Sequence, residues 1–192
     1  MKALRLVGLL VLFLGLSVFS APCQAKPVQL LDYDAQTFFE NYKLTCKRNA
    51  PVLDSAFPDS GLVYQGDTGL YEKYAFRTRN DIVIVLYENK SKCLSAVEIR
   101  DNNIPSEWNW ERLVTPTVTL EVTLGLNKGE RELLCRIYER KEFEGEGMMG
   151  FIDQSSLFIE AMLRYVHLRT TVVTTTVGRD SASFFYSADD EE

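Results

Sequence analysis

Histidine occurs once in this 192-residue chain, at His167. Every His-dependent scheme of catalysis or metal binding must pass through that one side chain. Cysteine is nearly as scarce, and Cys23, Cys46, Cys93 and Cys135 lie far apart. Zinc knuckles need ligand pairs a few residues apart, so the spacing argues against zinc. No Walker loop, Gly-x-Ser-x-Gly frame or calcium-loop frame is present. Gly145, Gly147 and Gly150 are spaced like a phosphate-loop fingerprint, but no strand-turn-helix setting surrounds them, and Glu144 to Gly147 reads as a turn. Clustered positive charge is also missing: Glu139 interrupts the longest basic stretch, Arg136 to Lys141. Nucleic acid and anionic lipid reward clustered Lys and Arg, so neither is an expected partner. Nothing in the chain calls for a cofactor or a metal.

What is present begins at the N-terminus. Lys2 and Arg5 precede an uncharged, mainly apolar run from Leu6 to Phe19, and Cys23-Gln24-Ala25 fits a small-x-small exit. Charge, apolar core and small-residue exit in that order describe a secretory signal peptide over residues 1–25, with Ser20 as an alternative cleavage point. The run is short of the roughly 20 residues that span a bilayer. Retention as an uncleaved anchor is the alternative; otherwise no membrane span is expected. The expected location is periplasmic or extracellular.

Removal of residues 1–25 takes two basic residues and no acidic one. The remaining 167 residues carry 19 Lys and Arg against 27 Asp and Glu, a formal charge of −8. That length suits one domain, spanning 26–186, followed by a small, acidic and disordered tail at 187–192. In an oxidising compartment a Cys46–Cys93 disulfide is expected, with the mature cysteines facing inward.

Asp34 is placed to cap a helix running to about Arg48, with Phe38, Phe39, Tyr42 and Cys46 on one stripe. From Leu62 the period changes to two. Gly69 to Arg77, Asp81 to Tyr87 and Cys93 to Arg100 read as a meander of strands, with Cys93, Ser95, Val97 and Ile99 on one face. Ser106 can cap a short helical turn carrying Trp108 and Trp110. Val118, Leu120, Val122, Leu124 and Leu126 alternate with Thr, Glu and Gly, which predicts a half-buried strand. Asn127-Lys128-Gly129 would turn it into a second strand, Arg131 to Phe143, with Leu133, Cys135 and Ile137 inward. Met148 to Ile152 reads as a short strand. Asp153 would cap a second helix, Gln154 to His167, that ends on His167; a strand is the alternative there. Thr171 to Val177 and Ser183 to Tyr186 predict a closing hairpin. No internal repeat is visible. The sum is an α+β domain: a curled antiparallel sheet of six to eight strands, capable of forming a half-open barrel, with two covering helices.

The absence of a catalytic constellation favours a non-enzymatic protein-binding domain, such as an inhibitor, immunity or assembly protein. Its acidic surface would suit a basic partner. Trp108-Asn109-Trp110 is the candidate contact, since tryptophan joins large apolar area to one donor. The alternatives are a hydrolase using a carboxylate pair or His167, and a carrier of an apolar ligand in a cavity lined by the Val118 to Leu126 strand. Asn89-Lys90-Ser91 matches a glycosylation acceptor in a predicted turn.

Overall fold

The computed structural model describes residues 29–49, 53–102, 111–140, 145–153, 156–168, 170–178 and 182–188. Helix α1 (Ala35–Arg48) is followed by a 3₁₀ turn and four strands, β1 (Val63–Asp67), β2 (Tyr71–Arg77), β3 (Val83–Asn89) and β4 (Leu94–Asp101). Helices α2 (Glu111–Thr123) and α3 (Lys128–Arg140) then lead into β5 (Gly145–Asp153), β6 (Ser156–His167), β7 (Thr171–Gly178) and β8 (Ala182–Ala188). The strands form one open, antiparallel sheet in the order β1-β2-β3-β4-β8-β7-β6-β5. The α+β class with a curled sheet is as expected, with three helices rather than two among the described residues. The topology repeats although the sequence does not: helix then four-stranded meander, twice, with the last strand of each half meeting at the centre. Val97 faces Tyr186 and Ile99 faces Phe184 across that seam.

The helices share one face of the sheet. Phe38 and Tyr42 of α1, Leu120 of α2 and Leu134 of α3 join Phe76, Ile84, Leu86, Val97, Ile99, Val173, Phe184 and Tyr186 in a single core. Helix α1 forms where the residues predict it. The Asp34 carboxylate accepts from the Thr37 backbone N–H at 2.7 Å, which satisfies one orphan donor of the first turn. Its apolar stripe is buried, and Phe39 and Tyr42 meet the Phe76 ring edge-on at 4.9 and 5.1 Å. The first N–H of the helix, on Ala35, donates to Glu88 on β3 at 2.9 Å. A carboxylate at a helix N-terminus also meets the positive end of the dipole.

The strands predicted from Val118 to Leu126 and from Arg131 to Phe143 are replaced by helices, α2 ending at Thr123 and α3 described to Arg140. In α2, Leu113, Pro116, Thr117, Leu120 and Glu121 are buried at helical spacing, while Val118 and Val122 stay 41% and 37% exposed. Alternation misled because the buried side of this helix is part polar. Its threonines are held inside the helix: the Thr119 and Thr123 hydroxyls donate to the carbonyls four residues back, each at 2.8 Å. Docking of one helical face overrides the strand preference of valine and threonine. Asn127 is the cap of α3 and not a hairpin turn. Its side chain accepts from the Glu130 N–H at 3.1 Å while Glu130 accepts from the Asn127 N–H at 2.8 Å, a reciprocal capping box. Leu134 and Ile137 face in, whereas Leu133, Cys135 and Arg136 are exposed.

The predicted helix Gln154 to His167 is strand β6, paired with β5 on one edge and β7 on the other. Two ladders satisfy its backbone from both sides, and a helix there would leave β5 without a partner and β7 with an open edge. Gly145, Gly147 and Gly150 lie within β5 and not in a turn. In β4, Val97 and Ile99 face the core as expected, but Tyr87 pairs with Ala96 and Glu88 with Leu94, so Ser95 is an extra residue. This bulge turns Leu94 onto the core face, where it is fully buried.

Helix and strand make different demands on α2. Leu120→Ala should cost about 2–5 kcal/mol of unfolding free energy in a urea titration, and Val118→Ala within about 0.5 kcal/mol. Equal losses at the two positions would contradict the helix.

Candidate functional site

Every described helix lies on one face of the sheet, and no described element covers the other. Strand alternation places Lys73, Tyr87, Ala96, Ser187, Val172 and His167 in one row across it, each paired with the next. The adjacent row runs through Ala75, Val85, Glu98, Phe185, Thr174 and Tyr165. At one end of this face a groove of about 710 Å³ opens between the β1–β2 turn, the β3–β4 turn and the end of β8. Thr68 and Leu70 form one lip, Lys90 and Ser91 another, and Ser187 and Ala188 the third. Tyr71, Tyr87, Ala96 and Phe185 line it as well. The Tyr87 ring meets Tyr71 at 6.5 Å and Phe185 at 5.6 Å, both edge-on.

Tyr87 is fixed from beneath. Its hydroxyl donates to Glu98 at 2.8 Å, and Arg100 holds the same carboxylate through both oxygens at 2.7 and 2.9 Å. Burial and the Glu98 charge keep the phenol protonated far above its ordinary range. The Lys73 ammonium sits 5.2 Å from the ring centre. Asn89, the last residue of β3, is 4% exposed and lines the groove. Its Oδ1 accepts from the Ser91 and Cys93 backbone N–H groups at 2.9 and 3.1 Å, which shapes the turn into β4. Its amide nitrogen is buried with no hydrogen-bond partner among the described residues. The glycosylation-like Asn89-Lys90-Ser91 thus serves as turn and groove wall, with the acceptor nitrogen inaccessible in the folded chain.

The residues singled out from sequence are not gathered here. Trp108 and Trp110 lie outside the described residues, as do the signal segment and positions 189–192. The expected Cys46–Cys93 disulfide is absent: both are free thiols in separate settings. Cys46 is buried on α1 with its sulfur 3.8 Å from the Ala56 carbonyl, and Cys93 lies in the β3–β4 turn, 3.7 Å from the Ser91 carbonyl. Burial raises the Cys46 pKa to about 11, the opposite of an activated nucleophile. His167 ends a strand and not a helix; it is half-buried, pairs with Val172, and its ring meets Tyr165 edge-on at 5.5 Å. The predicted strands included Tyr71, Lys73 and Tyr87, whereas Asn89 was expected in the turn and instead ends β3. The seam that brings Phe185 and Ser187 beside them was not readable from pattern.

Comparison with protein families, with curated proteins and with solved structures finds no match for this chain.

One carboxyl has the shifted acidity that hydrolases exploit. Glu121 is 3% exposed on α2, and burial raises its pKa to about 7, opposed by a 3.0 Å hydrogen bond from Tyr186 and by the Arg131 charge. It faces the filled core between α2 and β8, where no substrate can reach it. Below the ordinary value of 4.5 both folded and unfolded chains hold its proton. As pH rises the unfolded chain releases it first, so this group's contribution is lost progressively until the folded carboxyl ionises near pH 7. That loss amounts to about 3 kcal/mol. Glu121→Gln should flatten it in urea titrations run between those two pH values, and an unchanged slope would show that Glu121 does not carry it.

Proposed function

We propose that the chain is an exported, non-enzymatic binding domain that docks a protein partner on the helix-free face of its sheet. The observation that carries this reading is the groove of about 710 Å³ with Tyr71, Tyr87 and Phe185 in its wall, on a face no described element covers. Rigid aromatic side chains are the usual anchors of protein interfaces, because they bury large area at small entropic cost. Tyr87 is pre-organised for such a contact by Glu98, Arg100 and Phe185. Export rests on the N-terminal pattern of residues 1–25. Among the described residues no helix is long and apolar enough to cross a membrane.

The two other readings lack comparable support. A carrier cavity lined by residues 118–126 would need that segment to open around a ligand, yet Leu120 is fully buried in the core. Of the buried acids that a carboxylate pair could use, Glu98 is bound by Arg100 and Glu121 is sealed in the core. Among the described residues no group of three or more His, Cys, Asp or Glu could hold a metal.

Photo-crosslinking in the exporting cell tests the proposal. A benzoylphenylalanine replacing Ser187 in the groove should trap one partner, and Phe185→Ala should abolish that product in a chain that still folds by circular dichroism. The same crosslinker replacing Val118 on the exposed side of α2 should trap none. Products only from position 118, or none from either position, would overturn the reading.

A further inference from the structure

Resting on that docking reading, we infer that the groove takes an acidic segment of the partner, in which an apolar or aromatic side chain is flanked by carboxylates. Local charge carries the inference, and it runs against the net charge of −6. Two lysines, Lys73 and Lys90, line the groove, and no Asp or Glu does. Neither lysine enters an ion pair among the described residues.

The acids on β2, β3 and β4 are already matched. On β2 and β3, Glu72 and Glu88 both bind Lys92, at 2.8 and 2.9 Å. On β4, Glu98 binds Arg100 at 2.7 Å and Asp101 faces Arg112 at 3.4 Å. Strand β8 contains no acid from Ala182 to Ala188. Asp67, at the end of β1, accepts from the Gly69 backbone N–H and enters no ion pair among the described residues, and the four acids that follow Ala188 in sequence lie outside them. Among the described residues the two groove lysines are therefore left without an acidic partner above an apolar floor.

Lysines and aromatic rings together match a ligand with carboxylate oxygens on either side of an apolar group. The volume falls within the range of about 300–1,000 Å³ typical of specific pockets.

Fluorescence anisotropy with three end-blocked, fluorescein-labelled peptides tests this. Each has a central Phe-Leu pair, with three Glu, three Gln or three Lys on both sides. The Glu peptide should bind about tenfold more tightly than the Gln peptide, and the Lys peptide should not bind. Rising salt should erode the preference. The double variant Lys73→Gln with Lys90→Gln should lower the Glu peptide to the level of the Gln peptide in a chain that still folds by circular dichroism. Equal binding of Glu and Lys peptides, or a preference that survives the double variant, would overturn the inference. So would no binding by any peptide at about 1 mM. If the crosslinker at position 187 still traps a partner in that case, the docking reading stands and only the acidic assignment falls; if it traps none, both fall.

Discussion

The pairing of β4 with β8 is the contact on which the rest of this molecule depends. Each half of the chain builds its own meander by local turns, and each meander alone would leave its last strand as an open edge. Joining the two last strands makes one eight-stranded sheet and brings Val97 and Ile99 against Tyr186 and Phe184. The core is continuous across that seam, from Phe76 and Leu86 on one side to Val173 on the other. The same seam sets Phe185 beside Tyr87 and Ser187 opposite Ala96 on the reverse face. Core and groove are the two sides of one strand pair, so damage to the seam would be felt in both.

One-sided coverage follows from the order of elements. The helices precede their meanders, α1 before β1 and the α2–α3 pair before β5, and pack on a common face. That leaves the opposite face with intermediate residues, among them Val83, Val85 and Tyr87, which are neither core nor freely solvated. Its polar groups are tied down locally: Glu98 by Arg100 and Tyr87, and Asn89 by the turn it shapes. Rigid aromatic rings on a braced sheet make a surface that needs little reorganisation to bind, and low reorganisation is what converts contact area into affinity.

Net charge and local charge give opposite answers about a partner. The excess of acids predicts attraction to a basic surface. The structure distributes those acids so that the ones on β2, β3 and β4 are matched by Lys92, Arg100 and Arg112. Long-range steering follows the total, whereas recognition at a groove follows the few charges within a screening length of about 8 Å. Composition reports only the first quantity.

Strong local signals determined part of this protein unaided. Asp34 with its apolar stripe specified α1, and the period-two alternation from Gly69 to Arg100 specified the β2–β4 meander. Each is an interaction within a few residues, where pattern maps directly onto hydrogen bonds and burial. The capping box at Asn127 and Glu130 was equally local, but the alternation of Val118 to Leu126 pointed the other way. Which face of that segment is buried depends on α1 and β8, distant in sequence. Residues 154–167 illustrate the same limit: their apolar residues fit a helix, and only β5 and β7 on either edge decide for a strand. The groove belongs wholly to this second category. Its tyrosines, lysines and asparagine are unremarkable in sequence, because a groove made from four strands exists only once tertiary pairing has set their register.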